Sequence, residues 1–405
     1  MKPGLLPLDD ALAQLLSHAA PLAGAARVST FEADGRVLAQ DLVSQLQVPP
    51  QDNSSMDGYA VRVAELAEGA VLPVSQRIPA GSQPQPLAAG SAARIFTGAP
   101  IPQGADAVVM QEDTEPVDDG RVRFSRVPEP GQWIRRSGED VRRGAVVLAR
   151  GERLTPASLG LAASIGIDAL EVARRPRVAL FSTGDELVMP GEVPPAQMKP
   201  GAIYNSNRFF LRALLLRLGC EVKDLGIVPD RREATVQALR EAAAGCDLIL
   251  TSGGVSVGEE DHIKPAVQAL GSLDLWQIAM KPGKPFAYGR IADAHFIGLP
   301  GNPVSSFITF VLLVRPFLLK LQGATRLAPR AMELPAHFEL PRPDRRREFL
   351  RARRDAEGGL DLFPNQSSGV LTSTVWGDGV IDNPPGRPIA RGDRVAFIPL
   401  AELLA

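Results

Sequence analysis

Two lysines three residues apart, Lys281 and Lys284, stand in a chain with only seven lysines, inside the turn-forming run Lys281-Pro282-Gly283-Lys284-Pro285. Three other short runs share that mixture of small, polar and turn-forming residues. They are Ser182-Thr183-Gly184-Asp185-Glu186, Thr251-Ser252-Gly253-Gly254-Val255-Ser256-Val257-Gly258 and Leu299-Pro300-Gly301-Asn302-Pro303. Glycines and small residues let backbone N–H groups approach phosphate oxygens, and a helix starting at such a loop adds a favourable dipole. Asn302 is placed to N-cap a helix whose first residue is Pro303. Carboxylates stand in or beside the same runs, at Glu186 and at Glu259, Glu260 and Asp261. Cations beside carboxylates suit a phosphorylated ligand with a bridging Mg²⁺, an ion that takes oxygen ligands and often substrate phosphates. Singly, each run has a plainer reading. Gly-Gly after a strand is more often a turn, Lys-Pro-Gly-Lys a solvated turn, and Pro-Gly-Asn-Pro simple capping.

Two upstream runs carry weaker signals. Asp52-Asn53-Ser54-Ser55-Met56-Asp57-Gly58-Tyr59-Ala60 gathers polar groups around Asp57, and Arg94-Ile95-Phe96-Thr97-Gly98-Ala99-Pro100 is punctuated by Gly and Pro. Turn chemistry alone favours structural roles for both. His18, His262, His295 and His337 show no metal-ligand spacing, and no Ser-His-Asp arrangement is evident. The arginine run 345–347 with Arg351, Arg353 and Arg354 reads as a solvated face, with guidance of an anionic substrate as the minority alternative. Cys220 and Cys246 each follow a glycine and precede a strand-like run, which reads as buried thiols in a reducing compartment.

The elements that must position these runs follow from periodicity. Between residues 177 and 323, strand-like runs at 178–181, 222–228, 247–250, 275–280, 286–288 and 295–297 alternate with helical stretches at 207–218, 231–244, 261–270 and 304–321. That alternation predicts a doubly wound α/β domain, a mostly parallel sheet covered on both faces. In such sheets ligands bind beyond the carboxyl ends of the strands, and the four runs above leave strands at that edge. The shared edge is what raises them above their plainer readings. Leu8, Leu12, Leu15 and Leu16 recur at helical spacing, and 156–165 is again helical. We expect residues 1–44 plus 139–172 to form a discontinuous helical linker domain. Residues 45–138, rich in Pro, Gly and Val, read as a small β-rich domain, 173–325 as the α/β domain, and 326–405 as a C-terminal β domain.

At 405 residues the chain is too long for one core. Hydrophobic residues at 45%, charged residues at 22% and a net charge of −2 describe an ordinary globular protein with no generic attraction to nucleic acid or membrane. The first ten residues lack the basic flank and long apolar stretch of a signal peptide. The most apolar stretch, 307–321, contains Arg315, Pro316 and Lys320 and falls short of the roughly 20 residues a membrane span needs. We therefore expect a core helix and a cytoplasmic protein.

In this order, the motifs resemble the MoeA family of molybdopterin molybdenumtransferases, which is also similar to the E domain of gephyrin. The resemblance covers essentially the whole chain. It rests on DNSSMDGYA (52–60), IFTGAPIPQGADAVV (95–109), RRSGEDVRRG (135–144), FSTGDEL (181–187), YNSN (204–207), TSGGVSVGEEDH (251–262), MKPGKPFAYG (280–289) and GLPGNPVSS (298–306). It implies an elongated four-domain homodimer that takes adenylylated molybdopterin and molybdate, inserts molybdenum and releases AMP with Mg²⁺. The active cleft would lie between the α/β domain of one subunit and the β-rich domain of the other. Contact with the molybdopterin adenylyltransferase is a further expectation.

Carried over residue by residue, the acidic cleft positions match Asp57, Asp140, Glu186, Asp230 and Asp261. Thr97, Lys281, Lys284, Pro300 and Pro303 match further cleft positions. Ser182, Thr183, Gly253, Gly254, Ser256, Gly301 and Asn302 complete the expected substrate contacts. Ser368 looks like the family's C-terminal serine, although this chain reads Gln366-Ser367-Ser368-Gly369 where a glycine often precedes that serine. On this reading Lys281 and Lys284 hold the molybdate dianion, Glu186 and Asp261 bind Mg²⁺, and Asp57 and Thr97 of the partner position the reacting end. Two alternatives stay open: an adenylyltransferase that activates molybdopterin with ATP, and a scaffold protein.

Overall fold

The computed structural model describes residues 5–254 and 262–404. Ser256, Glu259, Glu260 and Asp261, all singled out above, lie outside the described residues. The first helix, α1 (Leu8–Ser17), is followed by α2 (Pro156–Ser164). Next come β1 (Arg177–Thr183), α3 (Asn207–Arg217), β2 (Glu221–Val228), α4 (Arg232–Ala243), β3 (Leu248–Ser252) and α5 (Ile263–Leu270). Strands β4 (Gly271–Gln277), β5 (Pro285–Ile291) and β6 (Ala294–Leu299) complete one sheet in the order β2-β1-β3-β6-β5-β4. The first four strands in that order run parallel; β5 runs antiparallel to β6, and β4, antiparallel to β5, resumes the common direction.

Strand β1 shows why this sheet is covered on both faces. Its run Val178-Ala179-Leu180-Phe181 is wholly buried. Successive strand residues point to opposite faces, so each face needs its own cover. Val178 and Leu180 pack into one core with Leu211, Leu214 and Leu215 of α3, while Ala179 and Phe181 pack into another with Leu239 of α4 and Ile263 of α5. The long helix Pro303–Leu321 backs the first core, with 83% of its apolar window buried, as expected of a core helix. It widens to a π turn over Phe310–Val314, just ahead of Pro316, which lacks the N–H a regular helix would offer to Leu312.

Helix α1 joins this α/β core rather than the linker assigned to residues 1–44. Leu8, Ala11 and Leu15 sit in the same cluster as β1 and the long helix. The preceding segment is stitched to the sheet, with the Leu6 amide on the Gln277 carbonyl and the Ala279 amide on the Leu6 carbonyl, both at 2.8 Å. Helical spacing identifies an apolar face but not the surface that covers it. The rest of the linker pairs short strands around a single α-helix. Ala25–Ser29 pairs with Ala169–Ala173, and Leu42–Val43 with Val146–Leu148, around α2.

The β-rich unit holds a six-stranded sheet centred on Ala92–Ile95 and Val71–Ile78, and in the neighbouring strand Gly58–Val61 Tyr59 and Val61 pack into one core and Ala60 into another. In the C-terminal unit Met280–Lys281 pairs parallel with Arg347–Glu348, and Phe349, Val380 and Ile398 enter the α/β core. Only half of the arginine run is a solvated face: Arg345, Arg353 and Arg354 are exposed, whereas Arg346, Arg347 and Arg351 are not. Arg347 makes a bidentate pair with Asp382 at 2.6 Å and reaches Asp9 at 2.8 Å, Arg346 pairs with Asp344, and Arg351 is only 2% exposed. The strand Arg347–Arg354 puts Arg347, Phe349 and Arg351 on one side, a placement that a run of like charges cannot announce. Cys220 is buried, which pushes its thiol up to about 12, and Cys246 is half-buried; both are free.

Leu15 is fully buried. Leu15→Ala is therefore expected to cost about 2–5 kcal/mol, as cavities left by buried leucines do, measured by thermal or denaturant unfolding of the whole chain. A cost within about 0.5 kcal/mol, the range of ordinary surface substitutions, would mean that α1 does not belong to this core.

Candidate functional site

The parallel strands end level with one another. Register places Ser182 of β1 beside Ser252 of β3, and Ser252 beside Leu299 of β6. The three exits therefore abut, and their backbones touch. A Cβ added at Gly253, which has φ +93°, would lie 3.0 Å from the Thr183 carbonyl oxygen. One added at Gly301 would lie 3.9 Å from the Gly253 Cα. The carboxamide of Asn207, at the start of α3, ties the exits together, donating to Ser252 Oγ at 2.8 Å and to the Gly301 carbonyl at 2.7 Å.

Above this floor lies a cleft of about 790 Å³. Ser182, Thr183, Glu186, Asp230, Gly253, Gly254, Pro300, Gly301, Asn302 and Pro303 all line it, so these residues, read from separate motifs, share one wall. Tyr204, Asn205, Ser206, Asn207, Ser252 and Pro285, which sit in runs quoted from the sequence but were given no role there, line it too, as do Gly369 and Leu371. A usable signal was the Tyr204-Asn205-Ser206-Asn207 run, whose polar groups open helix α3 at the cleft.

Two polar atoms on this wall have no partner among the described residues. Ser182 Oγ and Asn205 Nδ2 belong to side chains 1% and 2% exposed, and neither makes a hydrogen bond. Asn205 Oδ1 accepts from the Arg208 amide at 3.2 Å, so the amide end of the side chain is the one left over. An unsatisfied buried donor costs about 1–3 kcal/mol, and an oxygen-rich ligand would remove that cost.

At the β6 exit, Asn302 occupies the N-cap position and Pro303 the first helical position, as expected, but the Asn302 side chain makes no capping bond. The Val304 amide is taken instead by the Ser368 carbonyl at 3.0 Å. Ser368 thus contacts the cleft's helix through its backbone, and Gly369 and Leu371 beside it form the cleft's C-terminal wall.

The two lysines differ. Lys281 is turned to the C-terminal unit, its Nζ 3.1 Å from Glu348 and 3.5 Å from Asp344. The Arg346 guanidinium, with help from Lys281, holds the Asp344 carboxyl well below the usual carboxylate range. Lys284 is exposed and has no ion partner among the described residues; it adjoins Pro285 on the cleft wall. Glu186 is exposed, and the Asp230 amide lies 3.4 Å from Asp185 Oδ1. No group of three His, Cys, Asp or Glu side chains able to hold a metal occurs among the described residues.

The remaining predicted residues do not line this cleft. Asp57 and Thr97 form their own cluster on the β-rich unit, where Asp57 Oδ1 accepts from the Thr97 amide at 2.7 Å and the Thr97 hydroxyl at 2.8 Å. Those two bonds, with Arg94 nearby, hold the Asp57 carboxyl below its ordinary range. Asp140 is exposed where the β-rich unit meets the linker, its amide bonded to the Val48 carbonyl at 3.0 Å.

Comparison with known proteins places these features in a lineage. Residues 6–166 match the family model of the MoeA N-terminal region (domain I and II), 179–320 that of a probable molybdopterin binding domain, and 333–400 that of the MoeA C-terminal region (domain IV). A molybdopterin molybdenumtransferase of Haemophilus influenzae is 45% identical over 335 residues, spanning 82% of this chain and 81% of the relative. One of Synechococcus elongatus is 38% identical over 384 residues, spanning 92% and 93%. The crystal structure of the molybdopterin biosynthesis MoeA protein of Pyrococcus horikoshii OT3 superposes with a TM-score of 0.84 at 29% identity, covering 98% of this chain and 100% of that one.

Asp57 offers a test by titration. Its depressed folded pKa favours the ionised form in the fold, a contribution present above the ordinary aspartate value of about 3.9 and lost as pH falls through the lower folded value. Thr97→Val removes the hydroxyl bond but keeps the amide bond, so the Asp57 midpoint should move upward in a carboxyl ¹³C NMR titration. An unmoved midpoint would show that the hydroxyl does not hold this carboxylate.

Proposed function

This chain belongs to the MoeA family of molybdopterin molybdenumtransferases, and from that premise we propose that it carries molybdenum from molybdate onto adenylylated molybdopterin with release of AMP. It acts as a transferase in molybdenum cofactor biosynthesis. The observation that carries the finer reading is the 790 Å³ cleft, whose wall brings glycine-floored strand exits together with the unpartnered Ser182 Oγ and Asn205 Nδ2. A ligand rich in phosphate and polar ring atoms satisfies donors of that kind, and a compact apolar one leaves them stranded.

Several roles follow from the site's chemistry. The Gly254 backbone amide, with Ser182 and Thr183, forms the phosphate cradle, while the Gly253 amide is already given to the Leu299 carbonyl at 3.1 Å and fixes the loop. Lys284, exposed beside the cleft wall, is the cation for the molybdate dianion, while Lys281, already balanced by Glu348 and Asp344, fixes the loop that carries Lys284. Glu186 and Asp230 would hold Mg²⁺ together with substrate phosphate oxygens, an arrangement that suits an ion bound through one or two carboxylates. Bound there, the metal would supply Lewis-acid polarisation of the phosphate. The motif resemblance read from the sequence adds Asp261 to this set, a residue outside the described ones.

Asp57 and Thr97 reach the chemistry from a second copy of the chain in this reading, which makes the protein a homodimer. Its support is that no described residue of 45–138 lines the cleft, while the Asp57–Thr97 cluster stands open to solvent on its own unit. The ionised Asp57 would orient the reacting end, and Asp140 would hold the β-rich unit at its entry. The protein works in the cytoplasm on this view.

The deciding assay is AMP release from adenylylated molybdopterin with Mg²⁺, with and without molybdate. Molybdate-dependent release with molybdenum retained on the pterin is expected. Release of pyrophosphate from ATP and molybdopterin, without molybdate dependence, would replace this reading with that of an adenylyltransferase. Within the same assay, Lys284→Ala should raise the KM for molybdate about tenfold, the scale of one lost charge-assisted contact. Lys281→Ala should act mainly on stability; the reverse order would exchange the two assignments.

A further inference from the structure

The cleft's C-terminal wall hangs on one buried side chain. Arg351 is 2% exposed and has no carboxylate partner among the described residues. Its guanidinium donates instead to Ser373 Oγ at 3.1 Å, to the Phe349 carbonyl at 3.1 Å and to the Ser367 carbonyl at 3.3 Å. The backbone of Arg351 is gripped as well. Its amide donates to Gln366 Oε1 at 2.9 Å, and its carbonyl accepts from Gln366 Nε2 at 3.0 Å and from the Phe363 amide at 3.1 Å. Gln366 thus pairs with Arg351 as a neighbouring strand would. Burial pushes the guanidinium down to about 10, which leaves it charged at neutral pH. A buried cation is expensive unless its donors are satisfied, so a packed interior that keeps one without an acid has committed its fork to geometry.

What that fork holds is the segment 366–373. Within it, Ser373 Oγ donates to the Val370 carbonyl at 2.6 Å, the Ser368 carbonyl takes the Val304 amide of the long helix, and Gly369 and Leu371 line the cleft. The geometry points to Arg351 as a positioning residue: by fixing Ser367 and Ser373 it sets the segment that forms the cleft's C-terminal wall. It touches the cleft only through that segment, so it acts on ligand fit and not on bond-making. The planar fork is what the site uses. Lysine, a single point of charge, cannot satisfy Ser373, Phe349 and Ser367 together. The inference rests on the cleft being the substrate site.

The experiment compares the full-length protein with Arg351→Lys and Arg351→Met. Hydrogen exchange should quicken in peptides covering 366–373 and at the start of the helix Pro303–Leu321, while peptides from Gly379–Asn383 and Arg394–Pro399 stay protected. In the molybdate-dependent assay, the KM for the adenylylated pterin should rise about tenfold with kcat changed by less than about twofold, the split expected when binding of ground and transition state is lost equally. Gln366→Ala, which releases the same segment without touching the guanidinium, should reproduce the direction of both effects. Unchanged exchange in 366–373, a fall in kcat with KM unmoved, or exchange rising evenly through the whole C-terminal sheet would each overturn the assignment. If the wild type shows no turnover, the functional reading fails separately, and the exchange data alone decide whether Arg351 holds the segment.

Discussion

Everything in the candidate site depends on three parallel strands ending at one level. The β1–β3–β6 register brings Ser182, Ser252 and Leu299 side by side, so that three loops leave the sheet within contact of one another. A parallel ladder has evenly spaced bonds, and neighbouring exits inherit that spacing. The Asn207 carboxamide then locks two of them by bonding Ser252 and Gly301 at once. Glycine at 253 follows from the same crowding, since a side chain there would press on the Thr183 carbonyl in a backbone conformation that L-residues seldom adopt.

The C-terminal unit is built into this site rather than appended to it. The short strand Met280–Lys281 leaves the α/β sheet to pair with Arg347–Glu348, and the ion pair of Lys281 with Glu348 seals that join. Glu348 is 3% exposed and also accepts the Asp344 amide at 2.9 Å, so its charge is both paired and hydrogen-bonded, the condition under which burial of a carboxylate is tolerable. Phe349, Val380 and Ile398 add apolar area to the α/β core at the same place. The segment that forms the cleft's C-terminal wall therefore stands on a rigid base, which is what gives Gly369 and Leu371 defined positions.

Charge is distributed by the same logic. At the opposite, amino edge of the sheet, Arg174 grips Asp247 through both carboxylate oxygens at 2.6 and 2.8 Å, and the Arg177 amide adds a third bond. Burial works against the charge of Asp247, but these bonds prevail and hold its carboxyl below the ordinary range. The buried charge at that edge is thus fully paired. At the carboxyl edge the Ser182 hydroxyl, the Asn205 amide N–H and the Lys284 ammonium have no partner among the described residues, which is the asymmetry expected of a molecule that binds at one end of its sheet.

The alternation of apolar runs with helical periodicity was enough to predict the α/β unit and most of its elements, because spacing along the chain is a local property. The same holds for the strand exits at 182–186, 251–254 and 300–303, where glycine, proline and small polar residues report backbone demands that do not depend on distant partners. Family membership was legible in the motifs as well. Three things belonged to the tertiary structure alone. Helix α1 shows its apolar face in sequence, but only packing assigns that face to the α/β core. The arginines at 346, 347 and 351 read as one charged run, yet strand alternation and the cover over that strand turn Arg351 inward and pair the others with Asp344, Asp382 and Asp9. Lys281 and Lys284 are chemically alike, and a carboxylate 67 residues further along makes one a structural cation while the other has no ion partner among the described residues. Side-chain type is written in the sequence, but which groups meet across such distances is settled by the folded chain.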